Sequence, residues 1–394
     1  MIHIVCQPFF KIFITGYVTG YFFIEFTHLF CYTKDRFIAR KMHSQRRKAQ
    51  NTDNKKKKVT FDDIAKYTHF SKTTISRYFN NPDSLTLKNQ EIIAQALVDL
   101  DYQENKLAKV LANGKSEFVG ILLPNLFLHY YSEMLNQILS TYETFGYKFL
   151  VFTSNGSEET ERKYLQELLA YKIEGLIVLS HMIPSQELAS YHIPVVTIER
   201  EDEYVNSINT DNYMGAVQAA SLLVKNNCDI LIHINSDVSP SVPSYGRIQG
   251  FRDTCQQFNI RHKMILTDLG NSYSETQQRI GEVYNLIKEK YPDKRKGIFL
   301  ANDTHANIFL NLLMRDYGTL PDDYRIIGYD DSPIASEAII PISTVGQQID
   351  KIAHEAMKLL VSQMNEMKKR RPAPQTEIIH KMITPILVRR DTTT

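Results

Sequence analysis

From Phe118 onward the chain repeats one signal, a run of five or six mostly apolar residues followed in most cases by a helix-length amphipathic stretch. The runs are VGILLP (119–124), FLVFT (149–153), GLIVLS (175–180), PVVTIE (194–199), DILIHI (229–234), GIFLAN (297–302) and RIIGYD (325–330). Each reads as a buried strand. Strands that alternate with helices predict parallel sheets with helices on both faces. The span is long enough for two doubly wound parallel α/β lobes. In such open sheets, ligands sit outside the carboxyl ends of the strands.

The chain has 394 residues, which at ~100–200 residues per domain predicts two or three units. Its net charge is only +2, so any nucleic-acid binding must come from local charge. Cys6, Cys31, Cys228 and Cys255 are scattered and form no CxxC pair. Neither a zinc site nor a disulfide framework is suggested, and a reducing cytoplasm fits. There is no GxGxxG at a strand–helix junction, no phosphate-binding Walker loop, no GxSxG and no HExxH. Asp330 and Asp331 are adjacent carboxylates that a strand would point to opposite faces, which argues against paired acid/base work. No enzyme activity, cofactor or metal is expected.

Ahead of the alternating region lie short helices. Thr60 can cap a helix, with Asp63 at its third position, as in a capping box. Ile64 and Ala65 face inward. Ser71 caps the next helix, which buries Ile75 and Phe79 at i, i+4 and is closed by Pro82. A third helix is expected from about Leu87 to Leu100, with Ile92, Ile93, Ala96, Leu97 and Leu100 as its apolar stripe. A first helix, a tight turn and a second helix over 59–81 match a helix-turn-helix, whose second helix presents its N-terminal half to base edges. Lys72, Thr73, Ser76 and Arg77 are of the types that read bases and phosphates. A helical hairpin with a polar outer face would show the same local pattern.

Arg46, Arg47, Lys48 and Lys55–Lys58 form a basic arm just before this segment. It reads equally as a solvated linker or as a source of phosphate contacts. Residues 1–33 are rich in Phe, Tyr and Ile, with an uncharged run from Ile12 to Ile24 ended by Glu25. A spanning helix needs ~20 predominantly apolar residues, and the segment reaches that length only by accepting Glu25. The preferred reading is that residues 1–41 are an upstream translation and that the cellular chain starts at Met42. A membrane anchor and a folded extra element follow in that order.

The headpiece motifs V-T-x-x-D-I-A and S-x-x-T-I-S-R-x-x-N, both present in Val59–Asn80, resemble the LacI/GalR family of bacterial transcription regulators. The resemblance covers roughly residues 58–392. It departs in the turn, where His69 replaces the usual Gly at a position suited to positive φ. It departs again at Asn89-Gln90, where Thr-Arg is usual, so a phosphate contact there is missing or moved. Residues Asn105–Asn113 look like the family's hinge helix, which folds on operator binding. Leu111 matches the Leu that wedges into the minor groove, and Lys109 stands where Arg is common. The resemblance thus implies DNA contacts from Thr60, Ser71, Lys72, Thr73, Thr74, Ser76, Arg77, Asn80, Lys109 and Leu111.

The remainder is similar to the family's core, which is periplasmic-binding-protein-like. ERKYLQELLAYKIEGLIVL (161–179), IPVVTIER (193–200), NTDNYMGA (209–216), GRIQGF (246–251), LANDTHA (300–306), LPDDYRIIGYDDSPIA (320–335), STVGQQ (343–348) and TPILVRRDTT (384–393) carry the likeness. Arg247 and Asp303 are the implied effector contacts, an Arg and an Asp across a cleft able to chelate neighbouring sugar hydroxyls. A structural ion pair is the alternative. Tyr130 and Tyr131 fall where the family places aromatics beside the ligand, although ordinary packing suits them nearly as well. Tyr273 is a further candidate. Asn227-Cys228 replaces the usual Gly-His, and no role is carried over to it.

The implied organisation is an apolar extension (1–41), a basic arm (42–58), an all-α headpiece (59–103), a hinge helix and linker (104–116) and a two-lobed effector-binding and dimerisation domain (117–392). The implied function is a cytoplasmic homodimeric repressor of a carbohydrate-utilisation operon. It would bind double-stranded, pseudo-palindromic operator DNA under control of a sugar or sugar derivative, with no membrane partner. Whether the ligand releases DNA or promotes binding is open. The competing reading, a membrane-tethered solute-binding protein, explains residues 1–33 and 118–390 but leaves the headpiece without purpose.

Overall fold

The structure, a computed structural model, describes residues 59–103, 116–371 and 377–394. The extension (1–41), the basic arm (42–58) and the hinge with Lys109 and Leu111 lie outside the described residues. The chain divides into two compact units, 1–104 and 105–394.

The first unit holds three helices, α1 (Phe61–Thr68), α2 (Lys72–Asn80) and α3 (Leu87–Asp99), with a 3₁₀ turn at Pro82–Ser84. The carboxylate of Asp63 accepts from the Thr60 backbone N–H (2.9 Å) and hydroxyl (2.7 Å), fixing the start of α1. His69 ends α1 at φ 58°, the left-handed conformation expected of the family's Gly position. The Ser71 hydroxyl accepts from Thr74 N at 3.1 Å and caps α2. Thr86 likewise caps α3, accepting from Asn89 N at 3.4 Å. Ile64, Ile75, Ile93 and Ala96 form the fully buried centre. Phe79 lies against it and stacks on Phe61 with ring centroids 5.1 Å apart. The expected stripe of α3 needs one correction, because Ile92 is 39% exposed. Ile93, Ala96, Leu97 and Leu100 follow i, i+3, i+4, i+7, and Ile92 sits one helical step off that face.

The second unit is the α/β part. In chain order it contains β1 (Phe118–Leu123), α4 (His129–Ser140), α5 (Tyr142–Phe145), β2 (Lys148–Thr153), α6 (Glu158–Ala170), β3 (Gly175–Val178), α7 (Ser185–Ser190), β4 (Val195–Ile198) and β5 (Asn206–Thr210). Then come α8 (Asn212–Lys225), β6 (Ile230–Asn235), α9 (Gly246–Gln257), β7 (His262–Leu266), α10 (Tyr273–Lys290), β8 (Lys296–Leu300), α11 (Asp303–Tyr317), β9 (Tyr324–Asp330), α12 (Pro333–Glu337) and β10 (Ser343–Gly346). The unit ends with α13 (Ile349–Met367), β11 (His380–Ile383) and β12 (Ile386–Val388).

Two six-stranded sheets result, β2-β1-β3-β4-β5-β11 and β7-β6-β8-β9-β10-β12. The first is parallel throughout, and in the second only β12 runs antiparallel, to β10. Each sheet carries an apolar core on either face, which is why its central strands read as nearly unbroken apolar runs. The strand order reverses between β1 and β3, and again between β6 and β8, the switch points where open sheets bind ligands.

Five strands escaped the apolar-run criterion. β5 has the polar sequence Asn-Ser-Ile-Asn-Thr, yet all five residues are buried. Their polar atoms are paired: Asn206 Oδ1 accepts from Ile379 N (2.7 Å), Ser207 Oγ meets His380 Nδ1 (2.8 Å) and Asn209 Oδ1 accepts from Arg200 N (3.1 Å). β7 at a sheet edge, the four-residue β10 and the short β11 and β12 were also missed. The chain crosses between lobes three times, at β5–α8, β10–α13 and β11–β12. The crossings are joined to one another: Thr210 Oγ1 donates to Gln347 Oε1 (2.5 Å) and Asp211 N to Ile383 O (3.0 Å). Gln348 Nε2 also donates to Thr384 O. Among the described residues no helix is long and apolar enough to cross a membrane.

Candidate functional site

On the headpiece, Lys72, Thr73, Ser76, Arg77 and Asn80 fall at spacings that place them along one face of α2, opposite buried Ile75. Lys72, Thr73, Arg77 and Asn80 are exposed. Asn80 Nδ2 donates to Ser76 Oγ at 3.1 Å, and Lys72 Nζ lies 2.7 Å from Asp62. That ion pair is solvent-exposed, is worth ~1 kcal/mol or less, and leaves the lysine available to a phosphate. Ser71 and Thr74 share a hydrogen bond between their hydroxyls at 2.9 Å, and Thr60 belongs to the α1 cap. These three therefore have structural tasks at helix starts, where a backbone phosphate would also meet free N–H groups. Gln90 Nε2 donates to Pro82 O (2.9 Å) and Leu85 O (3.2 Å), so it ties the 3₁₀ turn to α3.

The second constellation lies between the lobes, at the carboxyl ends of their strands. Arg247, near the start of α9, is 8% exposed and packs its guanidinium 3.9 Å from the ring centroid of Tyr329. Its Nε donates to Asn212 Oδ1 (2.7 Å) and its Nη1 to Ala301 O (2.7 Å). Its Nη2 faces Glu199 Oε2, from the other lobe, at 3.9 Å. Asn212 Nδ2 donates to the same Glu199 oxygen at 3.1 Å. Asp330 accepts from Gln347 Nε2 at 2.6 Å, which links the cleft to the crossing at β10–α13. Both carboxylates follow or end a strand at positive φ, 60° for Glu199 and 112° for Asp330. Strained backbone of this kind is concentrated where side chains must be aimed.

Tyr130 and Tyr131, at the start of α4, sit beside this cluster with ring centroids 5.2 Å apart. Burial, reinforced by the Glu199 and Asp330 carboxylates, pushes both phenols up. The Tyr130 hydroxyl is buried and has no hydrogen-bond partner. Next to them His129 joins the lobes directly: its N–H donates to Thr304 Oγ1 (3.1 Å), and its Nδ1 lies 2.9 Å from the same oxygen. Burial also drives the carboxyls of Glu199 and Asp330 upward, and that of Asp303 to about 7.

Asp303 departs from expectation. It is fully buried, and its carboxylate accepts from Ser332 N (2.8 Å), Ser332 Oγ (3.1 Å) and Thr344 Oγ1 (2.6 Å). It belongs to the same lobe as Arg247, so the two do not face each other across the cleft. The carboxylates grouped with Arg247 are Glu199 and Asp330. Tyr273 is 47% exposed on the first turn of α10, and no contact joins it to this cluster among the described residues. Sequence reasoning missed Glu199, Asn212, Asp330 and Gln347. The available signal was position, since each lies at or just beyond the carboxyl end of a strand. Asp331, by contrast, turns outward to Arg390 at 2.6 Å.

A periplasmic binding protein-like domain matches residues 221–393. The chain is 26% identical over 309 residues to the ribose operon repressor of Halalkalibacterium halodurans, covering 78% of this chain and 91% of that protein. It is 27% identical over 304 residues to the sucrose operon repressor of Streptococcus mutans, covering 77% and 92%. The chain thus resembles sugar-operon repressors over most of its length. It also shares its fold with solved structures. One is the lac repressor dimer bound to operator and an anti-inducer, at TM-score 0.69 and 21% identity, covering 86% of this chain and 99% of that one. Another is a CelR–cellobiose complex, at TM-score 0.59 and 20% identity, covering 85% and 100%.

Proposed function

We propose that the protein is a sequence-specific, DNA-binding repressor of a carbohydrate-utilisation operon, controlled by a sugar or sugar derivative held between its lobes. The observation that carries this reading is the α2 face of Lys72, Thr73, Ser76, Arg77 and Asn80, set on a capped three-helix unit. The repressors it resembles support the operon class, and the cleft supplies the controlling site. A tethered solute-binding protein would need the cleft but not the headpiece. The protein is a regulator and not an enzyme, as its relatives are.

In this reading the headpiece spans 59–103, the hinge 104–116 and the effector and dimerisation domain 117–392, in a cytoplasmic homodimer. Each headpiece reads one half of a pseudo-palindromic operator. Lys72, Thr73 and Arg77 contact bases. Thr60, Ser71, Thr74, Ser76, Asn80 and Lys109 contact or position phosphates, and Leu111 wedges into the minor groove. Arg247, Tyr130 and Tyr131 contact effector and Asp303 braces the site, while Tyr273, exposed and away from this cluster, is left as the weakest candidate contact. Ligand and operator must change each other's affinity by the same factor, and ~1–3 kcal/mol of coupling gives about 5–150-fold regulation.

The test is fluorescence anisotropy on genomic operator candidates against scrambled duplexes. A discrete site bound roughly 1,000-fold tighter than scrambled DNA is expected, with Arg77→Ala cutting that discrimination by about 10–100-fold. Equal affinity for all duplexes at physiological salt would refute the reading.

A further inference from the structure

The chemical class of the effector is legible in the charges of the cleft, given the sugar-controlled reading above. Glu199 and Asp330 are buried, at 8% and 3% exposure, and both sit with Arg247. Asp303 lies behind Asp330, close enough for its charge to push the Asp330 carboxyl upward. Against these carboxyls stands one guanidinium, and it is largely engaged: Arg247 donates from Nε to Asn212 and from Nη1 to Ala301 and stacks on Tyr329, leaving Nη2 toward Glu199. The other buried arginine close by, Arg200, is turned into its own lobe, donating to Ile183 O (2.7 Å) and Ser180 O (2.5 Å). Burial holds the nearest imidazoles of the second lobe neutral, His305 at about 4 and His233 at about 3. Neither supplies a cation at neutral pH.

Such a site has acceptors in excess. Hydroxyl groups satisfy it, because each O–H donates to a carboxylate while its oxygen accepts from a guanidinium N–H or a phenol. The Tyr130 hydroxyl, buried and without a partner, is the donor such an oxygen would take up. A phosphate or carboxylate brings only acceptors and a negative charge, so it could enter only if the buried carboxyls, already driven upward by burial, took up further protons. Like charges held together out of water are strongly disfavoured, and exclusion by repulsion is how a site rejects a close analogue.

We infer that the interlobe cleft selects an uncharged sugar and rejects its phosphorylated or acid counterpart, with Glu199 and Asp330 as the residues that set this selectivity. The inference rests on the sugar-controlled reading and goes beyond it in assigning a charge class and two named residues. The test is a thermal-shift and calorimetric comparison of matched pairs on the full chain: ribose with ribose 5-phosphate, glucose with glucose 6-phosphate and gluconate, fructose with fructose 6-phosphate, sucrose with sucrose 6-phosphate. The expected result is a shift with at least one neutral sugar and binding more than roughly tenfold weaker for its anionic partner. Glu199→Gln and Asp330→Asn keep the shape and remove the charge, so each should narrow that ratio, with the parent sugar's own shift showing that the variant is folded. An anionic sugar that binds while its neutral parent is silent overturns the inference and leaves the sugar reading standing. An unchanged ratio in both variants overturns the assignment of selectivity to these carboxyls. Silence across every pair brings down the sugar reading and the inference with it.

Discussion

Replacing Asp303 by alanine separates a ligand contact from a brace. The carboxyl receives three donors in a site with no exposure: Ser332 N–H, Ser332 Oγ–H and Thr344 Oγ1–H. The two hydroxyls can rotate toward other acceptors, and each lost bond costs ~0.5–1.5 kcal/mol. The backbone N–H cannot turn, and leaving it unpaired and buried costs ~1–3 kcal/mol. Asp303→Ala should therefore destabilise by about 2–6 kcal/mol, a large share of the ~5–15 kcal/mol that holds a domain. Asp303→Asn keeps an acceptor for Ser332 N–H and offers an amide N–H to the Thr344 hydroxyl, which rotates to accept it, so a loss of only ~1 kcal/mol is expected. The assay is urea unfolding at pH 6, followed by tyrosine fluorescence, since the chain has 22 Tyr and no Trp. At that pH the folded carboxyl, pushed up to about 7, is mostly protonated while the unfolded one is ionised, so the parent has already lost part of the stability this group supplies below pH ~4 and the alanine loss falls at the lower end of its range. If Asp303→Ala unfolds at the same urea concentration as the parent but loses its effector, the bracing role is refuted and the residue is a ligand contact after all.

The same group gives a pH prediction. Its folded value, about 7, lies above its ordinary value of 3.8, so the folded state holds the extra proton between the two. The resulting stability is fully present below pH ~4 and is lost as pH rises through about 7. The stability difference between parent and Asp303→Asn should shrink over that window, and pH-resolved melting would contradict it by showing parallel curves. In the GRIQGF segment, a Cβ added at Gly250 would lie 2.3 Å from Tyr213 O, where α8 and α9 touch. Gly250→Ala should cost at least ~1–3 kcal/mol by urea unfolding of the second unit. Asp63→Ala removes the acceptor for Thr60 N–H and hydroxyl at the start of α1. A loss of ~1 kcal/mol in headpiece stability is expected, read by circular dichroism on the chain with and without operator.

The strand–helix alternation was written in local residue types, because a strand covered on both faces must be apolar along its length. The headpiece was equally plain: Thr60, Asp63 and Ser71 act on backbone groups within four residues, and Ile75 with Phe79, and Ile93 with Ala96, Leu97 and Leu100, fall at helical spacing within their helices. His69 took the left-handed turn its position required. What pairwise distance in the folded chain decided was different in kind. β5 is a buried strand of polar residues only because Ile379, His380 and Arg200 arrive to pair with it from elsewhere in the sequence. Arg247 could be named from its motif, but its partners Asn212, Glu199 and Tyr329 are 35, 48 and 82 positions away in the numbering of the chain. Asp303 shows the same limit, since a motif fixes which residue is present and the fold fixes where its carboxyl turns. Periodicity and capping are local and survive in one dimension. The charge balance of a cleft is a sum over residues that only the tertiary structure brings together.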